Sequence, residues 1–171
     1  WAESDGSDVR LSNGEWKSTV KGDLFRIDEW YGWSGKSNQG LRMLSTDIAA
    51  GIVEREVQAG IHSRVQPGPA DNSIWDVANG NSIAADMART VKIDGKRYKG
   101  VTWLRSDKSP GSRTAGWKQL RQFLKDAIPV VKKDPVKGDI TLPREKPGLF
   151  VFNTCVMFIE LFPIAPRDEL K

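Results

Sequence analysis

The chain predicts an α/β fold: a mixed β-sheet flanked by helices, with an extra β-hairpin. Three observations carry this reading. Segments rich in aromatic and β-branched residues alternate with segments of helical spacing along the 171 residues. Turn signals precede the first helical pattern, which predicts antiparallel pairing early and parallel pairing later. The charged stretch 130–148 has Pro135 and Gly138 between two short β-prone runs, the pattern of a hairpin.

Residues 2–16, AESDGSDVRLSNGEW, are polar and interrupted by glycine, and read as a loop or hairpin turn. DLFRIDEWYGW (23–33) reads as a strand. STDIAAGIVEREVQAG (45–60) spaces Ile48, Ala49, Ile52, Val53 and Val57 as a helix does, with Ser45 as N-cap and Gly60 as C-cap. SRVQPGPAD (63–71) is extended and ends at Asp71. Residues 81–90 read as a short helix. Residues 93–106 hold an Asp-Gly turn and a strand near 99–105. Residues 112–128 form an amphipathic helix with Trp117, Leu120, Phe123, Leu124 and Ala127 on one side. LFVFNTC (149–155) is a continuous apolar run, as in a buried strand, and a short apolar helix follows.

Length predicts one domain. Hydrophobic residues make up 39% and seven Trp are present, enough for a core. No apolar run is long enough to span a membrane, and the first residues have neither the basic nor the apolar part of a signal peptide. Opening on Trp1 suggests a fragment of a longer chain. A single Cys, Cys155, permits no internal disulfide and fits a reducing compartment. With one His, His62, a Cys/His zinc site is excluded, so any metal needs oxygen ligands, which favours Mg²⁺, Mn²⁺ or Ca²⁺. Residues 1–86 carry 8 Lys/Arg against 13 Asp/Glu, whereas residues 87–146 carry 16 against 6. A basic second half points to a polyanionic partner, or to an ordinary solvated surface.

GxxxxGK[ST], GxGxxG and GxSxG are all absent, which removes a P-loop, a dinucleotide fingerprint and a nucleophile elbow. His62 reads as a surface or capping residue and Cys155 as core. Carboxylates remain. In an open α/β sheet, ligand chemistry gathers at the carboxyl ends of strands, and Asp71 ends a strand behind two prolines. Cleavage of phosphodiesters by two metals needs several carboxylates from different elements. The alternative for Asp71 is a turn or cap, since ADNS is ordinary turn chemistry. Asp76 reads as a turn, Asp28 and Glu29 as surface alternation, and Asp107 as a loop residue bordering the same strand end.

Several segments together resemble the C-terminal nuclease domain of the large terminase subunits of tailed bacteriophages. They are GPADNSIWD (68–76), GNSIAADMA (80–88), GVTWLRSDKSPGSRTAGWKQLRQFL (100–124) and GLFVFNTC (148–155), with LFRIDEWYGWSGKSNQGLRMLSTDIAAGI (24–52) ahead of them. The resemblance implies an RNase H-like fold whose mixed sheet carries acids for two divalent ions, Mg²⁺ or Mn²⁺, and it matches Asp71 to the second of three acid positions. The first would lie upstream of Trp1 and the last, on a final helix, downstream of Lys171, with PRDELK (166–171) as its lead-in. Asn153 stands where some members carry an acid on the last strand. The resemblance also implies double-stranded DNA as substrate and an ATPase domain earlier in the full-length chain. The implied partners are the portal protein and the small terminase subunit, at the procapsid in the host bacterial cytoplasm. The hairpin, with Lys132, Lys133, Lys137, Arg144 and Lys146, would grip the DNA backbone, joined by Lys108 and Arg113. Such contacts give affinity and salt dependence rather than sequence choice. Two rival readings are a non-catalytic DNA-gripping module and another RNase H-like nuclease or recombinase.

Overall fold

The computed structural model describes residues 1–36, 39–40, 42–78 and 80–164. In chain order its strands begin with β1 (Ala2–Glu3), β2 (Val9–Arg10), β3 (Trp16–Lys17) and β4 (Leu24–Arg26). Helix α1 (Ser45–Gln58), β5 (Gly68–Ala70), β6 (Val77–Ala78), β7 (Asn81–Ser82) and α2 (Ile83–Met87) follow. Then come β8 (Val91–Ile93), β9 (Lys96–Tyr98), β10 (Trp103–Arg105) and α3 (Ser112–Asp126). The last elements are β11 (Val130–Asp134), β12 (Gly138–Leu142), β13 (Leu149–Val151) and α4 (Val156–Leu161). The fold is mixed α/β, as expected, but it is built from several small sheets. The chain divides into two compact units, one of Trp1–Tyr31 with Pro110–Lys171, the other of Gly32–Ser109.

In the first unit β4 is the middle strand of a mixed three-stranded sheet, antiparallel to β1 and parallel to β13. Phe25 and Phe150 are register partners and stack at 5.1 Å between ring centres. The strand expected over 23–33 is only three residues long. Among the described residues no strand pairs with this stretch beyond Arg26. The Arg26 carbonyl accepts from Phe152 N and Cys155 Sγ, and the Ile27 carbonyl accepts from Thr154 Oγ1. The run 149–155 is likewise a strand only to Val151, and Asn153 lies in the turn after it. Cys155 is fully buried, as expected of a core residue.

Asp23 precedes β4 and is completely inaccessible to solvent. Its carboxylate accepts two hydrogen bonds from the Arg144 guanidinium, at 2.9 and 2.6 Å, one from Val20 N at 2.8 Å and one from Gly148 N at 2.7 Å. Every lone pair of the buried charge is thereby used, which burial of a carboxylate requires. A side chain at Gly148 would put Cβ 2.6 Å from the Ala127 Cα, so only glycine lets the chain pass the end of α3 there. Glu29 was expected to be surface alternation. Instead it accepts from Met157 N (2.6 Å) and Phe158 N (3.1 Å), capping α4, and pairs with Arg26. Trp1, Phe158, Phe162 and Trp117 form a chain of ring contacts over this helix. The expected hairpin is present as β11–β12, five register pairs long. Asp134 Oδ1 closes its turn by accepting from Val136 N and Lys137 N.

In the second unit α1 packs on α2 and β8. Ala49 and Val53, four residues apart on one helix face, are buried. Full burial of Val53 contributes about 1.5–3 kcal/mol. The N-cap is Leu44 rather than Ser45, and no side chain bonds there. At the other end Gly60 follows the cap Ala59 with φ +67°. Gly60 N donates to the Val57 carbonyl and Ile61 N to the Glu56 carbonyl, a Schellman closure. Ser82 caps α2 by accepting from Ala85 N. Asp94 and Gly95, both at positive φ, turn β8 into β9, and β10 is the three-residue remainder of the strand expected near 99–105. The tryptophan count did not translate into burial, because Trp1, Trp16 and Trp33 are exposed. Among the described residues no helix is long and apolar enough to cross a membrane.

Candidate functional site

The second unit contains one parallel strand pair among its described residues, β5 with β10. Trp103 lies opposite Gly68, Leu104 opposite Pro69 and Arg105 opposite Ala70. One further bond, Ser106 N to the Ala70 carbonyl, brings both chains to the same edge. Asp71 and the run Ser106–Asp107–Lys108 therefore leave the carboxyl ends of neighbouring parallel strands together, the place where α/β sheets gather ligand chemistry.

Asp71 is 61% exposed at its side chain and faces Lys108, 57% exposed, with Nζ 2.8 Å from Oδ2. Its other oxygen, Oδ1, accepts from Ser73 N and caps the 3-10 turn Asn72–Trp75. Asp71 is thus a turn cap, as one reading of ADNS has it, and it also lies at a strand end. The Lys108 ammonium first, and the Ser73 amide second, hold the Asp71 carboxyl well below the usual carboxylate range. Asp71 is an exposed anion paired with an exposed cation. Asp107, at the same edge, accepts from Ser109 N and is lowered by that residue. Around Asp71 the Asn72 Oδ1 and Ser106 Oγ atoms are buried without a protein partner among the described residues. Arg105 lies with its guanidinium carbon 4.8 Å from the centre of the Trp75 ring.

The other expected residues are scattered. Asp76 is the C-cap of the same 3-10 turn. Asp28 accepts from Glu29 N. Arg113 is exposed in the first turn of α3. Lys132 and Lys133 are exposed neighbours on β11, so the pleat sends them to opposite faces of the hairpin. Lys132 stands opposite Ile140 and Lys133 opposite Asp139. Lys137 is exposed in the turn. Arg144 drops out of the expected DNA-gripping cluster, since its guanidinium is committed to buried Asp23 and 11% exposed. PRDELK lies outside the described residues.

His62 is not a cap but pairs with a carboxylate. Its Nδ1 is 2.8 Å from Glu56 Oε2, and its ring meets Tyr98 edge-on. Both acid and imidazole line a cavity of about 490 Å³, with Lys99 and Trp103. The Gly60 reversal after α1, visible in the sequence, is what folds His62 back on Glu56.

Among the described residues no three His, Cys, Asp or Glu side chains come together as a metal-holding group. Asp71 and Asp107 are the carboxylates at this edge, and Asp71 has a lysine as its partner. These residues do not complete a two-metal site. Comparison with protein-family models, curated proteins and solved structures finds no match.

Proposed function

We propose that this chain is the nuclease part of a viral DNA-packaging terminase, an RNase H-like domain that hydrolyses phosphodiester bonds of concatemeric double-stranded DNA. The resemblance of five ordered segments motivates the reading. One structural observation supports it: Asp71, the residue matched to an acid of that family, leaves the common carboxyl edge of β5 and β10. The three-stranded mixed sheet around β4 is compatible with a part of such a fold.

In this reading Asp71 is the acid this chain contributes toward divalent ions, and the partner acids belong to flanking segments. Lys108 keeps Asp71 ionised and oriented while sitting where a phosphate would be attracted. The basic stretch 87–146 supplies sequence-independent affinity for the duplex. The ATPase domain, the portal and the small terminase subunit are the partners proposed, in the host cytoplasm.

A second reading, a DNA-gripping module without catalysis, is favoured by the pairing of Asp71 with Lys108 and by the absence, among the described residues, of a group of three acids. The test is plasmid cleavage with Mn²⁺ or Mg²⁺ by the full-length protein beside Asp71→Ala. Cleavage that disappears in the variant and in EDTA supports the nuclease. Duplex binding without cleavage supports the gripping module. Cleavage that survives Asp71→Ala puts the active site elsewhere.

A further inference from the structure

We propose that Arg105, held over the Trp75 ring, is a preformed seat for a DNA backbone phosphate at the strand end from which Asp71 emerges. The inference rests on the DNA-binding part of the reading above and adds the residue that positions the strand.

The argument begins with pairing. Arg26, Arg89 and Arg144 are matched to Glu29, Asp86 and Asp23, and Lys108 to Asp71. Arg105 is exposed, and among the described residues no carboxylate pairs with it. Among the described residues its side chain meets the Trp75 ring, 4.8 Å from the guanidinium carbon. A guanidinium over an indole ring makes no hydrogen bond to it. Its in-plane N–H groups stay free for a bidentate acceptor, the geometry that phosphate oxygens match. Contact with the ring also restricts a long side chain in advance, so less freedom is lost on binding.

Location adds the second element. Arg105 is the register partner of Ala70, so it lies one step along the ladder from Asp71. Trp75 ends the 3-10 turn that Asp71 caps through Oδ1. One carboxylate therefore holds the turn that carries the ring on which the arginine rests. A duplex whose phosphate meets Arg105 runs past the carboxyl ends of β5 and β10.

The experiment is a fluorescence-anisotropy titration of a labelled duplex by the full-length protein, in EDTA and at several salt concentrations. Arg105→Ala is expected to weaken binding about tenfold, the loss of a charge-assisted contact. It should also reduce the slope of log affinity against log salt by about 0.9, the loss of one phosphate contact. Arg105→Lys retains the slope but loses affinity, and Trp75→Ala does the same, because the charge remains while its placement is lost. Arg97→Ala, an exposed cation on β9, is the control for charge alone. The seat is overturned if the parent binds and Arg105→Ala weakens it no more than Arg97→Ala does. If Arg105→Ala weakens binding as expected but the parent never cleaves, the seat stands and the nuclease reading falls. A parent that does not bind DNA removes both.

Discussion

Asp23 and Asp71 each meet one cationic side chain, and their surroundings give the two pairs opposite work. Asp23 is sealed from solvent, with four hydrogen bonds from a guanidinium and two backbone amides. Asp71 is mostly exposed, with one amide and one ammonium. A buried charge survives only when every bond is supplied, so its partners are fixed and it cannot accept a ligand without unfolding its neighbourhood. An exposed pair is screened by water and exchanges partners readily. Asp23 is therefore a joint and Asp71 is an available anion.

The largest effect that tests this contrast is on stability. Asp23→Ala leaves the Arg144 guanidinium buried and unpaired and is expected to cost about 3–5 kcal/mol. It also strips the Gly148 and Val20 amides of their acceptor. Asp71→Ala is expected to leave the unfolding midpoint almost unchanged, because both its partners turn to water. Urea denaturation followed by circular dichroism measures the two variants side by side. A comparable loss in both would erase the distinction between joint and anion.

The acid limb of stability sharpens the same comparison. Burial pushes the Asp23 carboxyl up, but Arg144 and the Val20 and Gly148 amides outweigh it, and the net shift is below the ordinary value of 3.8. A carboxyl depressed in the folded state adds stability that is complete above its unfolded value and is lost as pH falls through the folded one. The parent should therefore lose stability as pH drops below about 4, and Asp23→Asn should flatten that limb. A limb of the same steepness in Asp23→Asn would assign acid sensitivity to other carboxylates.

Local chemistry made the Asp71 side of this comparison legible and hid the Asp23 side. GPADNS holds its own strand end and cap, and the Asp71 turn forms from residues within two positions. Helix α1, the β11–β12 hairpin and the Asp94-Gly95 turn are equally local, written in 3.6-residue spacing or turn residues. Asp23 and Arg144 lie 121 residues apart, and no spacing rule joins them. Asp23 looked like the start of a strand and Arg144 like one more hairpin cation. Glu29 and the α4 amides are as distant. Strand lengths were overread for a related reason: a β-prone run pairs only as far as its neighbour extends, and β13 turns away after Val151. Lys108 was singled out as a DNA contact, but its ion pair with Asp71 is 37 residues long-range and had no sequence signature.

A smaller effect is expected on the titration of Asp71 itself. The Lys108 ammonium is the first cause of its depressed value. Lys108→Ala should raise the Asp71 carboxyl toward the ordinary carboxylate range, with the Ser73 amide still holding it partly down, and Lys108→Arg should largely preserve the depression. Carboxyl carbon chemical shifts followed against pH read this directly. An unmoved titration would mean that the pair is not held in solution, and the balance of charge at this edge would need another cation.

The smallest effects are expected on the hairpin, where charge is spread over two faces. Lys132 shares its face with Val130, Asp134, Ile140 and Leu142 and has Ile140 directly across the ladder, whereas Lys133 has Asp139 directly across it. Opposite charges so placed partly satisfy each other, so Lys133 has less attraction left for a phosphate. In salt-dependent duplex titrations Lys132→Ala should reduce the slope by up to about 0.9, and Lys133→Ala by less. Equal reductions would mean that both faces of β11 meet the backbone, which requires the hairpin to enter a groove rather than lie along it. No reduction in either would leave the Asp71 edge, with Arg105, as the place where the duplex is held.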